Sequence, residues 1–540
     1  MKELAELERV RGEFGGEAAR RKRALMARLA RARLGSARAV RRLHEVLLFV
    51  CAFADDEGVR DAAEAALRGF ARRRDVRRFR AELESSGIAG TDLRYPFYQA
   101  TAARLAQRFP RQLEVAWESL EDEQEQRLLD RLEFLTAYAE SPLVDELDLS
   151  LRQWLARLKA PGEADGALLA RSLAELEASP LVREILYDEV QPELVLRADA
   201  TTPSRTLARA GLGTFVARGG GLHRERPTLP DVLEQRPRVR AVSEREGARL
   251  IELAQDAMVT RARDLDVFAH GDPRDVRVLT CEDGLEFVAI GFKPERRLLF
   301  EAVYGFLTLQ NDVPVGYVLN SALFGSAEIA FNVFDAFRGA EAGHVYGWVL
   351  ACVHHLFGVD TFTIYPYQLG HENEEGIASG AWWFYQRLGF RPRDAGTLAL
   401  MRRELARQRA TPGYRSPPAT LRRLARHNVY YASGAARDDV IGVLPLERLA
   451  EPASRLLAQR FGARRAEAEL ELAREAAARL GLRSFRGWSA SERLWWRRWA
   501  PLLVALPGVE RWSPAERRAA VAVVRAKGGR RESDFVRALD

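Results

Sequence analysis

Only one part of this chain alternates between strand and helix patterns, and that alternation restricts its possible folds more than any other feature. Between residues 285 and 334 four apolar runs follow one another with the period and the β-branched content of strands. A small-residue turn ending at Gly343 then leads into a helical pattern, a further strand-like run at 361–367 and an aromatic helical pattern at 381–389. This order predicts a mixed sheet with helices on both faces, an α+β arrangement.

Helical periodicity dominates the rest of the 540 residues. Residues 1–200 are predicted to form a helical region, and the Gly-, Pro- and Thr-rich stretch 201–235 a linker or surface loop. The alternating part defines a domain at 236–402. A second linker at 403–424 precedes a C-terminal helical region at 425–540. We therefore expect an α+β domain flanked by all-α regions that dock on it, because buried helix faces need partners.

Three helix starts can be predicted from short side-chain patterns. Ser243 with Glu246, Ser489 with Glu492, and Ser513 with Glu516 each have the spacing of a capping box, and Pro514 occupies the first helical position of the third. A turn between two of the strands is predicted at Asn311-Asp312, because both residue types tolerate positive φ.

The charge pattern argues against a nucleic-acid-binding protein. The net charge is +7, but arginine is interleaved with Asp and Glu almost everywhere, which is typical of solvated helix faces. Cys51, Cys281 and Cys352 lack metal-ligand spacing and are predicted to be buried thiols, and no metal site is expected. The sequence shows neither an apolar run of membrane-spanning length nor a secretory signal, so we expect no membrane association and a cytoplasmic location.

The central region resembles the GNAT superfamily of N-acetyltransferases over about 236–402. The similarity rests on "RVRAVSEREGARLIELA" as the first strand and helix, "VPVGYV" as the third strand, and "AWWFYQRLGF" as the aromatic helix ending in Leu-Gly-Phe. The resemblance implies a GNAT-like mixed sheet and a coenzyme A thioester, acetyl-CoA or another acyl-CoA, as co-substrate. It also implies that the fourth and fifth strands of the family, 327–334 and 361–367 here, separate where the coenzyme binds.

The same resemblance assigns a coenzyme-binding role to the turn between the fourth strand and the next helix. In the family an Arg or Gln, two residues, Gly, one residue and Gly or Ala offer backbone N–H groups to the pyrophosphate. The matching residues here are Arg338, Gly339, Ala340, Glu341, Ala342 and Gly343. Glu341 replaces the first glycine of the motif, and its carboxylate repels phosphate unless it faces solvent or pairs with Arg338. The alternative is an ordinary helix start in which Glu341 stabilises the helix dipole.

Acyl transfer to an amine needs a base for the amine and an acid for the departing thiolate. By the resemblance, Tyr385 is the acid and Glu328, at the start of the fourth strand, is the base; Asn332 falls on the same strand face. The alternatives are core packing for Tyr385 and a solvated strand-edge carboxylate for Glu328. His344, His354 and His355 on the following helix are interpreted as packing or surface residues.

Two functions follow from these expectations. The first is an acyl-CoA-dependent N-acyltransferase, with acetyl as the expected acyl group, acting on an amine that the sequence does not identify. The second is a non-catalytic GNAT-like module in a helical interaction protein, whose helical regions would bind a protein partner. The acidic loop "HENEEG" at 371–376 is interpreted as solvated, with attraction of a cationic amine as the alternative.

Overall fold

The computed structural model describes residues 2–133, 148–176, 178–213 and 215–539. The parts of the predicted helical region and of the first predicted linker that fall at 134–147, 177 and 214 lie outside the described residues. Numbered along the described chain, the helices are α1 (Lys2–Val10), α2 (Gly16–Arg31), α3 (Ala37–Ala52), α4 (Glu57–Arg68), α5 (Arg74–Arg78), α6 (Gln99–Arg108), α7 (Asp122–Glu133), α8 (Leu151–Leu158), α9 (Asp165–Glu175), α10 (Pro180–Asp188), α11 (Leu229–Glu234), α12 (Glu244–Val259), α13 (Asp266–Ala269), α14 (Ala342–Phe357), α15 (Pro366–Leu369), α16 (Glu374–Ser379), α17 (Ala381–Leu388), α18 (Ala395–Ala410), α19 (Pro418–Leu424), α20 (Leu446–Arg460), α21 (Arg465–Leu480), α22 (Ala490–Ala505), α23 (Pro514–Lys527) and α24 (Glu532–Leu539).

The strands are β1 (Leu93–Tyr95), β2 (Leu113–Val115), β3 (Leu194–Leu196), β4 (Arg238–Ala241), β5 (Gly271–Thr280), β6 (Leu285–Phe292), β7 (Ala302–Gln310), β8 (Val313–Leu323), β9 (Ser326–Val333), β10 (Thr361–Ile364), β11 (Arg391–Pro392) and β12 (Val429–Ala432). The protein is thus α+β, with a mixed sheet and many helices. Among the described residues, no helix is both long and apolar enough to cross a membrane.

The chain divides into two compact units that differ from the boundaries drawn from the sequence. The units are Met1–Gly221 with Arg249–His270 and Gln310–Pro314, and Leu222–Ala248 with Gly271–Leu309 and Val315–Asp540. The C-terminal helices therefore belong to the same unit as the central sheet, and part of the predicted first linker, 222–235, does too. Most of the predicted second linker, 403–424, lies in α18 and α19.

The first unit is helical with one small antiparallel sheet, whose strand order is β1-β3-β2. The sequence predicts helices here and misses these strands, since three residues are too few to show a period of two. Leu105, Leu155, Leu169 and Leu194 are fully buried in its core.

The second unit is built on a sheet with strand order β11-β12-β10-β9-β8-β7-β6-β5-β4. β9 and β10 are parallel, while β4 with β5, β5 with β6, and β8 with β9 are antiparallel. The turn predicted at Asn311-Asp312 joins β7 to β8, with both residues at positive φ. The sequence misses β5, because Pro273 and a register shift between Gly271 and Val276 interrupt its alternation.

The C-terminal helices share one apolar core with this sheet. Trp495 and Trp499 on α22 donate their indole N–H groups to the carbonyl oxygens of Pro294 (2.8 Å) and Leu299 (3.2 Å). The capping boxes predicted at the starts of α22 and α23 are confirmed, each with both reciprocal hydrogen bonds present. The expectation that the C-terminal region docks on the sheet holds within this unit.

A fully buried ionic cluster fixes α23 and α24 to the strands. Lys527 Nζ lies 2.6 Å from Glu532 Oε1, and both side chains have no exposed surface. The Glu532 N–H and the Tyr304 hydroxyl both donate to Asp275 Oδ2, at 3.1 and 2.5 Å. Arg297 donates to the Lys527 carbonyl oxygen at 2.6 Å. Because unpaired buried charges are costly, this set of contacts allows one placement of the C-terminal helices.

Candidate active site

The two parallel strands β9 and β10 separate partway along their length. They pair over three residues only, Thr361 with Ser326, Phe362 with Ala327 and Thr363 with Glu328. β10 ends one residue later, whereas β9 continues to Val333. The edge of β9 beyond Glu328 therefore has no neighbouring strand on that side in the described chain, and some of its backbone N–H and C=O groups face the opening.

The connection from β9 to α14 contains the turn singled out in the sequence. Gly339 has φ of 74°, a conformation that favours glycine. Ala342 is the first residue of α14, so its early N–H groups lack intrahelical acceptors and the positive end of the helix dipole is directed at this turn. We call residues 338–343 the cradle turn.

A cavity of about 400 Å³ lies against the cradle turn. Its walls come from three segments, and the lining residues are His223, Arg224, Glu225, Arg226, Gly339, Ala340, Ala342, Gly343, Ser379, Gly380, Phe384, Arg387 and Leu388. Four of the six cradle-turn residues therefore line it. Arg338 and Glu341 are not among the lining residues.

Arg338 and Glu341 both have partners among the described residues. The Arg338 guanidinium lies 2.9 Å from Asp335 Oδ1 and also contacts the Glu375 carboxylate. Glu341 is buried, with 4% of its surface exposed, and its Oε1 accepts a hydrogen bond of 2.7 Å from the His223 backbone N–H. Glu341 is thus neither exposed to solvent nor paired with Arg338. It occupies the N-cap position of α14, the place that the alternative of an ordinary helix start gives it.

The segment 222–228, which we call the strap, crosses the first turns of α14. The His223 ring stacks on His344 with centroids 4.1 Å apart, and its Nε2 lies 2.7 Å from Asp283 Oδ2. Pro227 packs on the helix so closely that a Cβ at Gly347 would lie 3.2 Å from its ring. The strap is thus attached at both ends, and Arg224 to Arg226 between these attachments face the cavity.

Glu328 occupies the last paired position before the strands separate. Burial, followed by the nearby charge of Glu301, raises the pKa of the Glu328 carboxyl from 4.5 to about 7. A carboxylate with a pKa near neutrality can accept a proton from an amine and release it again, as a general base must. The described contacts do not join Glu328 directly to the cavity.

Tyr385 lies in an aromatic cluster that spans α14, α17 and β9. Its ring lies 5.5 Å from that of Tyr346 and 5.9 Å from that of Phe390, and Tyr346 in turn contacts Phe331 on β9. Burial raises the pKa of the Tyr385 hydroxyl, so it remains protonated at neutral pH. The neighbouring residue Phe384 lines the cavity. Tyr385 therefore packs in the core, one residue from the cavity wall.

Two buried polar atoms near the separated strands have no hydrogen-bond partner in the described part of the protein. They are the hydroxyl oxygen of Tyr346, on the second turn of α14, and Oδ1 of Asn332, on the separated part of β9. Buried polar groups are normally paired. A ligand or water can supply the missing partner of each atom. The two atoms lie on opposite faces of the sheet, because Tyr346 contacts Phe331 and Asn332 points to the other face of β9.

Other residues considered in the sequence have structural roles. His354 Nδ1 lies 2.6 Å from the Val359 carbonyl oxygen at the end of α14, and Arg537 binds the carbonyl oxygen of His355. The two thiols of Cys281 and Cys352, distant in sequence, lie 3.9 Å apart. Within the described residues, no group of three or more His, Cys, Asp or Glu side chains could hold a metal ion.

Sequence reasoning missed three arginines of the cavity and one carboxylate. Arg224 and Arg226 fall in a stretch whose Gly and Pro content predicts a loop, and Arg387 is inconspicuous among aromatic residues. Glu301 precedes β7 and carries no motif. The signal available was the excess of positive charge in "HRERP", close before the predicted domain.

Comparison with models of known protein families, with curated proteins and with solved structures finds no match to this chain. The geometry and chemistry of the site are therefore the basis for assigning a function.

Proposed function

We propose that this chain is an acyl-CoA-dependent N-acyltransferase, with acetyl as the simplest acyl group, acting on an amine. The observation that carries the proposal is the cavity at the N-terminus of α14, on the connection that leaves the separated strands β9 and β10. β5 and β12 are strands that the resemblance did not predict. The helix between two parallel strands that diverge, and the aromatic α17 followed by Gly389 and Phe390, support a GNAT-like domain.

The chain offers binding groups of the kind an acyl-CoA needs. The N–H groups of Gly339, Ala342 and Gly343, for which no acceptor is found among the described residues, and the dipole of α14 suit a pyrophosphate. The unpaired edge of β9 at 329–333 suits the amide groups of a pantetheine arm, which would add to the sheet like a short strand. A thioester at the end of that arm would then lie near the point where β9 and β10 separate, which is where Glu328 lies.

Two proton transfers accompany the acyl transfer. Glu328 takes a proton from the ammonium form of the acceptor, and the freed nitrogen lone pair attacks the thioester carbonyl carbon. As the carbon–sulfur bond breaks, Tyr385 donates its proton to the departing thiolate. The products are the amide and the free thiol. Tyr385 then regains a proton from solvent, to which Glu328 releases the one it accepted.

Glu341 favours a second candidate, a non-catalytic module in a helical interaction protein. Its buried carboxylate lies at the helix end that would bind phosphate, and the strap covers the first turns of α14. A carboxylate about 6 Å from a phosphate repels each unit charge by roughly 1 to 3 kcal/mol, between the dielectric limits of water and a protein surface. This repulsion is comparable with the ~1 kcal/mol gained from one backbone hydrogen bond, so it weakens the phosphate site without excluding it.

Calorimetric titration with acetyl-CoA, followed by a thiol-release assay against a panel of amines, tests the proposal. The panel comprises amino acids, peptides, polyamines and aminoglycosides. We expect measurable binding and thiol release with at least one class. Glu328→Gln should abolish most of the turnover while leaving the acetyl-CoA affinity unchanged, and Glu447→Gln, at an exposed position on α20, controls for the substitution itself. Absence of acetyl-CoA binding would refute the enzyme and leave the interaction module.

A further inference from the structure

The arginines of the cavity have no partner of their own. Arg224, Arg226 and Arg387 are exposed, and their guanidinium groups make no ion pair or hydrogen bond with any described residue. Arg338, close by, contacts two carboxylates. Exposed arginines without an ion pair also occur elsewhere in the described chain, for example Arg31, Arg38 and Arg403, but the three cavity arginines are distinguished by lining one cavity.

These positive charges also repel each other. Partial burial, followed by the charge of Arg226, lowers the pKa of the Arg387 guanidinium, so the two groups lie close enough to interact. One acidic residue, Glu225, lines the same cavity against the three arginines, which leaves an excess of two positive charges. An anion in the cavity would remove this repulsion.

The strap fixes the backbone on either side of Arg224 and Arg226 before any ligand arrives. The His223 N–H is hydrogen-bonded to Glu341 and its ring is stacked on His344, while Pro227 packs against α14. Arg224 and Arg226 lie between these two attachments. Such preorganisation reduces the entropy lost when a ligand binds.

We infer that Arg224, Arg226 and Arg387 bind the phosphomonoester of the acyl donor, so that the enzyme selects donors carrying a terminal phosphate on the nucleotide. This inference deepens the proposed function and depends on it. The cradle turn offers N–H groups suited to a pyrophosphate, whose two phosphates are diester-like with one charge each. Guanidinium groups that line the same cavity suit the doubly charged terminal phosphate, to which arginine can donate two parallel hydrogen bonds.

Coenzyme A and its 3′-dephospho form separate the two sites, because they share the pyrophosphate and the pantetheine arm. We expect acetyl-CoA to bind the parent protein roughly 10 to 100 times more tightly than acetyl-dephospho-CoA, the range for a charge-assisted hydrogen bond. Arg226→Gln and Arg387→Gln should each weaken acetyl-CoA binding about 10-fold, toward the lower end of that range. Neither should change the affinity for the dephospho form.

Arg403→Gln, an exposed position on α18, is the control for the loss of one positive charge and should bind both donors as the parent does. Equal affinity of the parent for the two donors would overturn the inference while leaving the acyltransferase standing. Equal loss of both donors in the arginine variants would also overturn it, because the arginines would then act on the shared pyrophosphate.

Adenosine 3′,5′-bisphosphate separates the inference from the proposed function. Binding of this nucleotide that Arg226→Gln weakens, without acetyl-CoA turnover on any amine, would keep the phosphate site and remove the acyltransferase. If neither this nucleotide nor acetyl-CoA binds, both are refuted.

Discussion

Replacing Glu328 by Gln should stabilise the protein at high pH while inactivating it. The folded state holds the carboxyl proton up to about pH 7, whereas the unfolded state releases it near 4.5. The protonated carboxyl therefore contributes stability that is fully present below pH 4.5 and is lost as the pH rises through 7. At about 1.4 kcal/mol per pH unit, ionising this buried group costs the folded state roughly 3 kcal/mol at pH 8. Gln, which stays neutral, does not incur that cost.

Urea unfolding followed by tryptophan fluorescence measures this difference, since eight of the ten tryptophans belong to the unit that contains β9. Glu328→Gln should match the parent near pH 4.5 and exceed its unfolding free energy by roughly 3 kcal/mol at pH 8. Glu301→Gln, which removes a neighbouring negative charge, should lower the pKa of Glu328. The loss of stability that accompanies ionisation of Glu328 should then occur at lower pH. If the difference in unfolding free energy between Glu328→Gln and the parent is the same at pH 8 as at pH 4.5, Glu328 is solvated and unsuited to act as the base.

Three further predictions concern the rest of the site and the core. Tyr385→Phe should lower turnover roughly 10- to 1000-fold, in and somewhat below the range for general acid–base catalysis, without changing acetyl-CoA affinity; equal activity would reassign Tyr385 to packing, and Tyr431→Phe is the control in the same cluster. Glu341→Gln, which keeps an oxygen for the His223 N–H but removes the charge, should tighten acetyl-CoA binding roughly 5- to 150-fold. Glu341→Gly also removes the hydrogen bond that holds the strap, so its acetyl-CoA affinity should rise less than that of Glu341→Gln. Equal increases in affinity, measured by calorimetry, would mean that the strap does not contribute to acetyl-CoA binding. Lys527→Met should destabilise the protein by roughly 3 to 5 kcal/mol in urea unfolding. Adding Glu532→Leu should restore most of this loss, and a double variant no more stable than the single one would contradict the pairing.

The sequence predicted correctly those features that depend only on residues close together in the chain. The capping boxes at Ser489 and Ser513 and the Asn311-Asp312 turn depend on residues within a few positions of one another, and the structure contains them. β5 escaped prediction because its pairing partner and its register shift, not its own alternation, define it as a strand. β12 lies beyond the predicted domain, and its place between β10 and β11 depends on contacts that no short window contains.

In the candidate site, too, local features could be predicted from the sequence and long-range contacts could not. The cradle turn and Tyr385 follow from a strand-turn-helix pattern and an aromatic helix, both readable in sequence. The partner of Glu341 could not be predicted, because the N–H that binds it belongs to His223, 118 residues earlier. The arginines of the strap reach the cavity through a segment whose composition indicates a loop, and composition does not show where a loop packs.

The buried cluster of Lys527, Glu532, Asp275 and Tyr304 has a consequence for the order in which the chain is made. A ribosome releases β5 and β7 long before α23 and α24, and 257 residues separate Asp275 from its partner, the Glu532 N–H. At typical rates of synthesis this interval is roughly 10 to 50 s. Throughout that time the nascent sheet exposes the apolar surface that the late helices cover, and Asp275 lacks the hydrogen bond from the Glu532 N–H. Chaperones that bind exposed apolar chain would have the whole interval to engage it, and a chain cut short before residue 514 would remain a target for proteolysis.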